Sequence, residues 1–230
     1  METKKKKIGI IGGISAASTM QYYKTITDMY FERYNNYYYP EILIYSLDFQ
    51  HFTDFENTGQ TEEYINYILT AVTTLMNTGV DFIAMAANSP HSVFHEVVKR
   101  SGAKMVSIVE ATAKAAVRAN LNNVLLTGIK HTMCSGFYQD YFNKIGISIL
   151  VPNEAHQDEI NRMIFEELVI NKFTNETRRK FIEIINSYDA DSVILGCTEL
   201  PLLLNQQDTD IVLLDTLSLH CAEILDYAMS

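Results

Sequence analysis

Two turns in the sequence combine a small residue with polar side chains at the end of an apolar run. The first lies in FIAMAANSPH (82–91) and the second in SVILGCTELP (192–201). The apolar runs predict buried strands, so Ala87 and Cys197 occupy equivalent positions just beyond them. A cysteine there, near backbone N–H groups and a helix start, is expected to form a stabilised thiolate that serves as base or nucleophile. Ala87 can do neither, so only one of the two turns can move a proton.

Both turns also suit a bound carboxylate. Backbone N–H donors converge where a strand ends and a helix begins, and a helix N-terminus favours negative charge. The side chains of Asn88, Ser89 and Thr198 can add neutral hydrogen bonds. An inert buried thiol is the alternative interpretation of Cys197, because free cysteines often serve only as packing residues.

The elements that must position these turns alternate between strand and helix. Predicted strands lie at 8–13, 41–49, 82–86, 105–109, 123–128, 147–152, 192–196 and 211–215. Predicted helices lie at 18–34, 62–78, 110–119, 159–171, 175–188 and 217–227, and a further helix begins in HTMCSGFYQDYF (131–142). Strands that alternate with helices indicate parallel βαβ units and an α/β fold.

The pattern repeats within the chain. VDFIAMAANSPH (80–91) matches ADSVILGCTELP (190–201) in character at each position, with Asp81 opposite Asp191. We therefore predict two pseudo-symmetric lobes, each a parallel sheet flanked by helices, one from residues 1–100 plus 210–230 and the other from 101–209. Ligands of α/β sheets bind beyond the carboxyl ends of strands, so both turns are expected to face one cleft between the lobes.

Composition excludes several classes of partner. A formal net charge of −10 without a basic stripe argues against nucleic acid, because that affinity depends on clustered Lys and Arg. The lysines from Lys4 to Lys7 are interpreted as a solvated approach to the first strand. No apolar run reaches the roughly 20 residues of a membrane-spanning helix, and no signal-peptide pattern is present, which predicts a cytoplasmic protein without a membrane partner.

Cofactor and metal motifs are absent from the sequence. The three cysteines lack CxxC spacing, which favours neither a disulfide framework nor a zinc site, and Cys134 and Cys221 lie in helical patterns that suggest packing residues. No HxH or HExxH spacing occurs, so we predict no metal. IGIIGGIS does not spell GxGxxG, so we predict no dinucleotide cofactor.

Six segments together resemble the cofactor-independent aspartate/glutamate racemase superfamily, and within it the aspartate racemase branch. The likeness runs the length of the chain and rests on the combination of GCTE with N-S/T-x-H at this spacing. The segments are IGIIGGIS (8–15), ANSPH (87–91), HTM (131–133), INRMIFEEL (160–168), GCTEL (196–200) and the pair Asp215 and Thr216 followed by His220.

This resemblance implies an isomerase with two Rossmann-like lobes, often a homodimer, that holds a small acidic amino acid between the lobes without pyridoxal phosphate. Two thiols on opposite faces of the α-carbon would exchange its proton. Cys197 matches one catalytic thiol, and Ala87 occupies the position of the other. The substrate-binding positions implied by the family are Ile14, Ser15, Asn88, Ser89, Thr132, Thr198 and Glu199.

The sequence departs from the family pattern at two places. Ala87 replaces the first thiol, and TGIKHT (127–132) reverses the usual order of Gly and Thr, which leaves Thr132 in register but not Thr127. Three functions stay open. The protein is a slow or one-sided racemase of aspartate and/or glutamate, a single-thiol enzyme of decarboxylase or lyase type that transfers a proton on one face, or a non-catalytic amino-acid binder, including a chain mutated to alanine to trap ligand.

Overall fold

The computed structural model of the protein describes residues 5–230, so Lys4 of the predicted lysine cluster lies outside the described residues. The chain divides into two compact units. One comprises the residues up to Ile108 together with His220–Ser230, and the other comprises Val109–Leu219. None of the helices within residues 5–230 has the length and hydropathy needed to cross a bilayer.

The first unit contains a four-stranded parallel sheet with the order β2-β1-β3-β4. Gly9 of β1 lies between Leu43 of β2 and Ile83 of β3 in the register of the sheet. The elements are β1 (Ile8–Gly12), α1 (Ala16–Tyr34), β2 (Ile42–Ser46), α2 (Phe49–Thr58), α3 (Thr61–Asn77), β3 (Phe82–Met85), a 3-10 helix (Ser89–Val93), α4 (Phe94–Ser101) and β4 (Met105–Val106).

The second unit contains a parallel sheet with the order β6-β5-β7-β8. Its elements are α5 (Ile108–Arg118), β5 (Asn123–Thr127), α6 (Lys130–Cys134), α7 (Phe137–Lys144), β6 (Ser148–Leu150), α8 (Glu154–Glu166), a 3-10 helix (Leu168–Ile170), α9 (Asn175–Asn186), β7 (Ser192–Leu195), α10 (Leu200–Leu203) and β8 (Val212–Asp215). The last helix, α11 (Thr216–Met229), contains the boundary between the units. Both sheets place their strands in the same chain order, which confirms the predicted α/β fold with an internal repeat.

A pair of aspartates has the same task in the two repeats. The Asp81 carboxylate accepts a hydrogen bond from the Lys7 backbone N–H at 2.6 Å, just before β1. The Asp191 carboxylate accepts from the Asn122 and Asn123 N–H groups, both at 2.8 Å, at the start of β5. Each aspartate therefore ties the start of its own strand, β3 or β7, to the start of the neighbouring strand, β1 or β5, which explains why the two sequences match there.

Two helices of the first unit were not predicted. The predicted second strand (41–49) stops at Ser46, because Asp48 begins α2 by accepting a hydrogen bond from the His51 N–H at 3.1 Å. The other is α4, which follows the 3-10 helix after β3. The predicted strand at 105–109 is also too long, because β4 ends at Val106 and Ile108 begins α5.

The unit boundaries lie further along the chain than the sequence predicted. The contacts place them after Ile108 and after Leu219, whereas the predicted boundaries follow residues 100 and 209. Strand pairing gives the reason. Val106 of β4 pairs with Ala84 of β3, which keeps residues 101–108 in the first unit. Asp215 of β8 pairs with Leu195 of β7, which keeps residues 210–219 in the second.

The central strands are covered on both faces, as parallel sheets require. β1, β3 and β7 are buried along their whole length. In the first unit, α3 supplies one cover, and Ile68 and Val72 on its inner face are fully buried. Met76, which belongs to the predicted apolar stripe of this helix, is instead 43% exposed because it lies at the edge of that face.

Candidate functional site

The turn after β3 is fixed by hydrogen bonds to its own unit. The Ala86 N–H donates to the Ile11 carbonyl at 2.9 Å, so the chain leaves the sheet only at Ala87. Asn88 and Ser89, both predicted to bind substrate, are buried. Ser89 begins the 3-10 helix, and the Ser18 hydroxyl of α1 donates to the Ala86 carbonyl at 2.8 Å. The turn is therefore a rigid part of the first unit.

His91 connects this turn to the start of α5. Its Nε2 accepts a hydrogen bond from the Ile108 N–H at 3.1 Å, and its Nδ1 lies 3.0 Å from the Ala87 carbonyl oxygen. Since Nε2 is an acceptor, the proton of the neutral ring is on Nδ1 and is donated to Ala87. The ring is buried and stacks on Phe94 with centroids 5.2 Å apart.

His220 of α11 makes a similar pair of contacts beside His91. Its Nε2 lies 3.1 Å from the Val106 carbonyl, to which it donates, and its Nδ1 accepts from the Tyr22 hydroxyl at 2.9 Å. The two imidazoles meet edge to face with centroids 5.9 Å apart. Both histidines belong to segments quoted from the sequence, ANSPH (87–91) and the residues that follow Asp215 and Thr216, but the sequence did not predict that they join backbone segments.

Burial lowers the pKa values of both histidines. Loss of solvation is the largest cause at His91, and its pKa lies well below its ordinary value, with His220 contributing next. The same loss lowers the pKa of His220 to about 4 from an ordinary 6.5. Both rings are neutral at pH 7, as their hydrogen bonds require. Between pH 6.5 and about 4, the ordinary and folded pKa values of His220, the unfolded chain binds more protons at this residue than the folded chain does.

We expect the free energy of unfolding to decrease as the pH falls from about 6.5 to about 4, the ordinary and folded pKa values of His220. A depressed folded pKa gives stability that is complete above the unfolded pKa and is lost as the pH falls through the folded one. For His220 alone the loss is about 3 kcal/mol. Urea unfolding at a series of pH values measures it. His220→Asn should flatten the dependence relative to wild type, and equal slopes in the two proteins would contradict the assignment.

The turn after β1 contains the predicted positions Ile14 and Ser15. Gly13 has a φ of 84°, and a Cβ atom there would lie 2.2 Å from the Leu47 carbonyl oxygen, so only glycine fits. The Gly13 N–H donates to the Thr19 hydroxyl at 2.8 Å. Ile14 is buried, and the Ser15 hydroxyl caps α1 by accepting from the Ser18 N–H at 3.3 Å. Ser15 therefore has a structural role as the N-cap of α1, in addition to its predicted role in binding substrate.

The turn after β7 carries the candidate thiol. The Gly196 N–H donates to the Thr127 carbonyl at 2.9 Å, and a Cβ atom on Gly196 would lie 2.4 Å from the same oxygen. The Cys197 thiol donates to Glu199 Oε2 at 2.9 Å, and the Thr198 hydroxyl donates to the same oxygen at 2.9 Å. These three side chains form one hydrogen-bonded group directly beyond the strand.

The electrostatics of Cys197 differ from the sequence-based expectation of a stabilised thiolate. Part of the residue is exposed, but the thiol is surrounded by protein, and this loss of solvation is the largest of the causes that raise its pKa well above its ordinary value. The Glu199 carboxylate raises it further, and the backbone N–H groups of Glu199 and Thr198 oppose the shift only partly. The following helix, α10, has four residues and little dipole to offer. At rest Cys197 is therefore a protonated thiol.

Two threonines near this turn have different environments. The Thr127 hydroxyl donates to the Ile194 carbonyl of β7 at 2.7 Å, which occupies it within the sheet. Thr132 of α6 is fully buried, and among residues 5–230 its hydroxyl oxygen has no hydrogen-bond partner. Thr132 is thus the one of the two that offers an unused polar atom.

Arg162 and the acidic residues near it form a cluster of ion pairs. Arg162 forms ion pairs with Glu159, Glu166 and Glu167, and the Glu167 carboxylate also accepts from the Thr177 hydroxyl. These contacts give the charged side chains of the INRMIFEEL segment (160–168) a structural role. In the described part of the chain, no three His, Cys, Asp or Glu side chains are grouped in a way that could hold a metal ion.

The other two cysteines differ from each other. Cys221 is fully buried in α11, as expected of a packing residue. The same prediction is wrong for Cys134, which is exposed and donates to the Gln157 side chain at 3.1 Å, because α6 is a short surface helix that ends there.

Comparison with known proteins gives consistent matches along the chain. The family model for Asp/Glu/Hydantoin racemase matches residues 11–224. The broad specificity amino-acid racemase RacX of Bacillus subtilis (strain 168) is 27% identical over 214 residues, which cover 91% of this chain and 92% of RacX. Its name is that of a racemase.

Solved structures share the fold. An aspartate racemase homologue from Pyrococcus horikoshii OT3 superposes with a TM-score of 0.87 at 37% identity, covering 98% of this chain and 100% of that one. The aspartate racemase of Picrophilus torridus has a TM-score of 0.78 at 24% identity over 96% of this chain and 94% of its own, a likeness of fold. The resemblance predicted from the motifs is confirmed, and the chain belongs to the Asp/Glu/hydantoin racemase family.

Proposed function

We propose that the protein is a cofactor-independent racemase of aspartate and/or glutamate in which Cys197 is the acid and base on one face of the α-carbon. The observation that carries this proposal is the Cys197 thiol at the end of β7, hydrogen-bonded to the Glu199 carboxylate at 2.9 Å. Family membership and the name of the Bacillus relative support the reaction class. The choice of acidic substrates rests on the family motifs and is part of the proposal.

The Cys197–Glu199 pair can move a proton in both directions. As a thiol, Cys197 can deliver its proton to a carbanionic α-carbon. To remove a proton it must first lose its own, and Glu199 Oε2 already accepts that hydrogen bond. The raised pKa makes the thiolate, once formed, a strong base, which suits a weakly acidic C–H.

Binding of the substrate carboxylate is assigned to neutral donors at the turns. In this proposal Asn88, Ser89, Thr132 and Thr198 bind the substrate, with Ile14 and Ser15 shaping the turn after β1. The unused hydroxyl of Thr132 supports its inclusion. Hydrogen bonds of this kind strengthen as charge moves onto the carboxylate during deprotonation, which lowers the barrier. A homodimer, which the family likeness implies, stays a prediction.

Ala87 favours a second candidate function. An enzyme with one thiol can transfer a proton on a single face, as a decarboxylase or lyase does, without a group at Ala87. In the racemase, by contrast, water or a neighbouring side chain must act on that face. The two functions differ in the stereochemical fate of the α-proton, which can be measured directly.

Incubation with L-aspartate and L-glutamate in deuterated water tests the proposal. We expect deuterium to enter the α-position, which NMR measures. We also expect the D-enantiomer to form, which chiral chromatography measures. Exchange with retention of configuration would favour the one-face enzyme. If neither acid exchanges, yet either raises the melting temperature, the protein is a binder and the racemase proposal is rejected.

A further inference from the structure

The carbonyl groups of the turn after β3 have fixed directions. The Ala87 carbonyl faces His91 Nδ1 at 3.0 Å, and the Asn88 carbonyl accepts from the His91 backbone N–H at 2.9 Å. One residue, His91, therefore contacts two successive carbonyl groups, with its side chain and its backbone respectively.

These directions determine where the backbone donors point. The peptide bonds after Ala87 and Asn88 are trans, and in a planar trans peptide the N–H group points opposite to the carbonyl. Since both carbonyls face His91, the N–H groups of Asn88 and Ser89 are directed to the other side of the turn. Successive N–H groups aimed the same way form an anion-binding concavity.

The imidazole can hold this arrangement in only one form. Its Nε2 accepts from the Ile108 N–H, so the single proton must be on Nδ1 for Ala87 to receive a hydrogen bond. The ring itself is fixed by stacking on Phe94 and by the edge of His220. Among the titratable groups near it, His220 of α11 and His95 of α4 are those that influence its charge, and neither occupies its two nitrogen atoms.

We propose that His91 is a positioning residue that directs the Asn88 and Ser89 N–H groups toward the carboxylate of the substrate. The proposal rests on the function proposed above. It adds a residue that contacts the backbone of the turn and does not itself contact the substrate. Its essential bond is the one from Nδ1 to the Ala87 carbonyl, because that bond sets the orientation of the first N–H. The bond to Ile108 anchors the ring and contributes to folding.

Two substitutions separate these bonds. In His91→Asn the side-chain amide nitrogen takes the place of Nδ1 and can still donate to Ala87, but nothing reaches Ile108. In His91→Gln the amide oxygen reaches the place of Nε2 and can accept from Ile108, but the Ala87 carbonyl loses its donor. His95→Gln, on the exposed side of α4, is the matched control.

Calorimetric titration with L-aspartate, and in parallel L-glutamate, measures the effect, and urea unfolding measures the stability of each variant. We expect His91→Gln to raise Kd about tenfold or more, the effect of losing one hydrogen bond of ordinary strength. His91→Asn should raise it less than about threefold, even though it is also destabilised. In wild type, ¹⁵N NMR should show the proton of His91 on Nδ1.

Three results would overturn the inference. The first is a rise in Kd that follows the loss of stability in both variants, which is what a purely structural role gives. The second is a proton on Nε2. The third is a wild-type chain that neither binds nor exchanges either amino acid, which rejects the proposed function together with this inference, whereas the first two results leave the proposed function standing.

Discussion

Cys197→Ala is expected to lower the rate of α-proton exchange by a factor on the order of 10³, the usual contribution of a positioned acid or base. Alanine removes the thiol that the proposal places at the α-carbon, and it leaves the Glu199 carboxylate without the thiol that donates to it. The measurement is the loss of the α-proton signal of L-aspartate in deuterated water. Binding of the amino acid should persist, because the proposed carboxylate ligands are other residues.

Cys134→Ala is the matched control for this variant. It removes a thiol from the exposed end of α6, where the sulfur contacts only the Gln157 side chain among its described polar partners. Its exchange rate should equal that of wild type. If Cys197→Ala exchanged as fast as Cys134→Ala, the proposed role of Cys197 would be lost.

Ala87→Cys should increase the rate of racemisation by a factor on the order of 10². The substitution supplies a thiol at the position equivalent to Cys197 in the other repeat, so each face of the α-carbon would have its own acid and base. The β3 turn already holds residue 87 through the His91 hydrogen bond and the Ala86 N–H, so its backbone should stay in place. Formation of D-aspartate from L-aspartate is the measured quantity.

Ala87→Ser separates the chemistry of the thiol from its size. The hydroxyl is close in volume but a far weaker acid, so this variant should gain little. A folded Ala87→Cys protein that gains no more than Ala87→Ser would indicate that the site serves another reaction, of which one-face proton transfer is the leading candidate.

The fold was readable from the sequence where periodicity and the internal repeat agreed. The alternation of strands and helices, and the match of Asp81 with Asp191, came from local pattern alone. The helix α2 was missed because its start depends on the Asp48 cap, and only Phe52 of its residues is buried, which leaves almost no apolar stripe to detect. The compact units end at Ile108 and Leu219 and not at residues 100 and 209, because strand pairing at β4 and β8 is a tertiary property that local pattern does not show.

The candidate site was readable in its residue types but not in its electrostatics. Cys197 and Glu199 were both named from the GCTE motif, yet the pKa of the thiol is raised first by loss of solvation and then by the Glu199 carboxylate, which folds back over two residues. The neutral form of His220, which lies beside His91, depends on hydrogen bonds to Tyr22 and Val106. Each of these residues is more than one hundred positions from His220 in the sequence. Periodicity carries no signal for such contacts.

The inequality between the turns, Ala87 in one repeat and Cys197 in the other, limits what asymmetry can achieve in a racemase. Mirror-image substrate and product have equal free energies in water, so microscopic reversibility requires the same kcat/KM in both directions. If the two faces are unequal, kcat can differ between the two directions only when KM differs by the same factor. This happens when the enzyme spends more of its cycle bound to one enantiomer or in one protonation state. The protein would show its asymmetry as different saturation by the two enantiomers, while the final mixture remained an equal one.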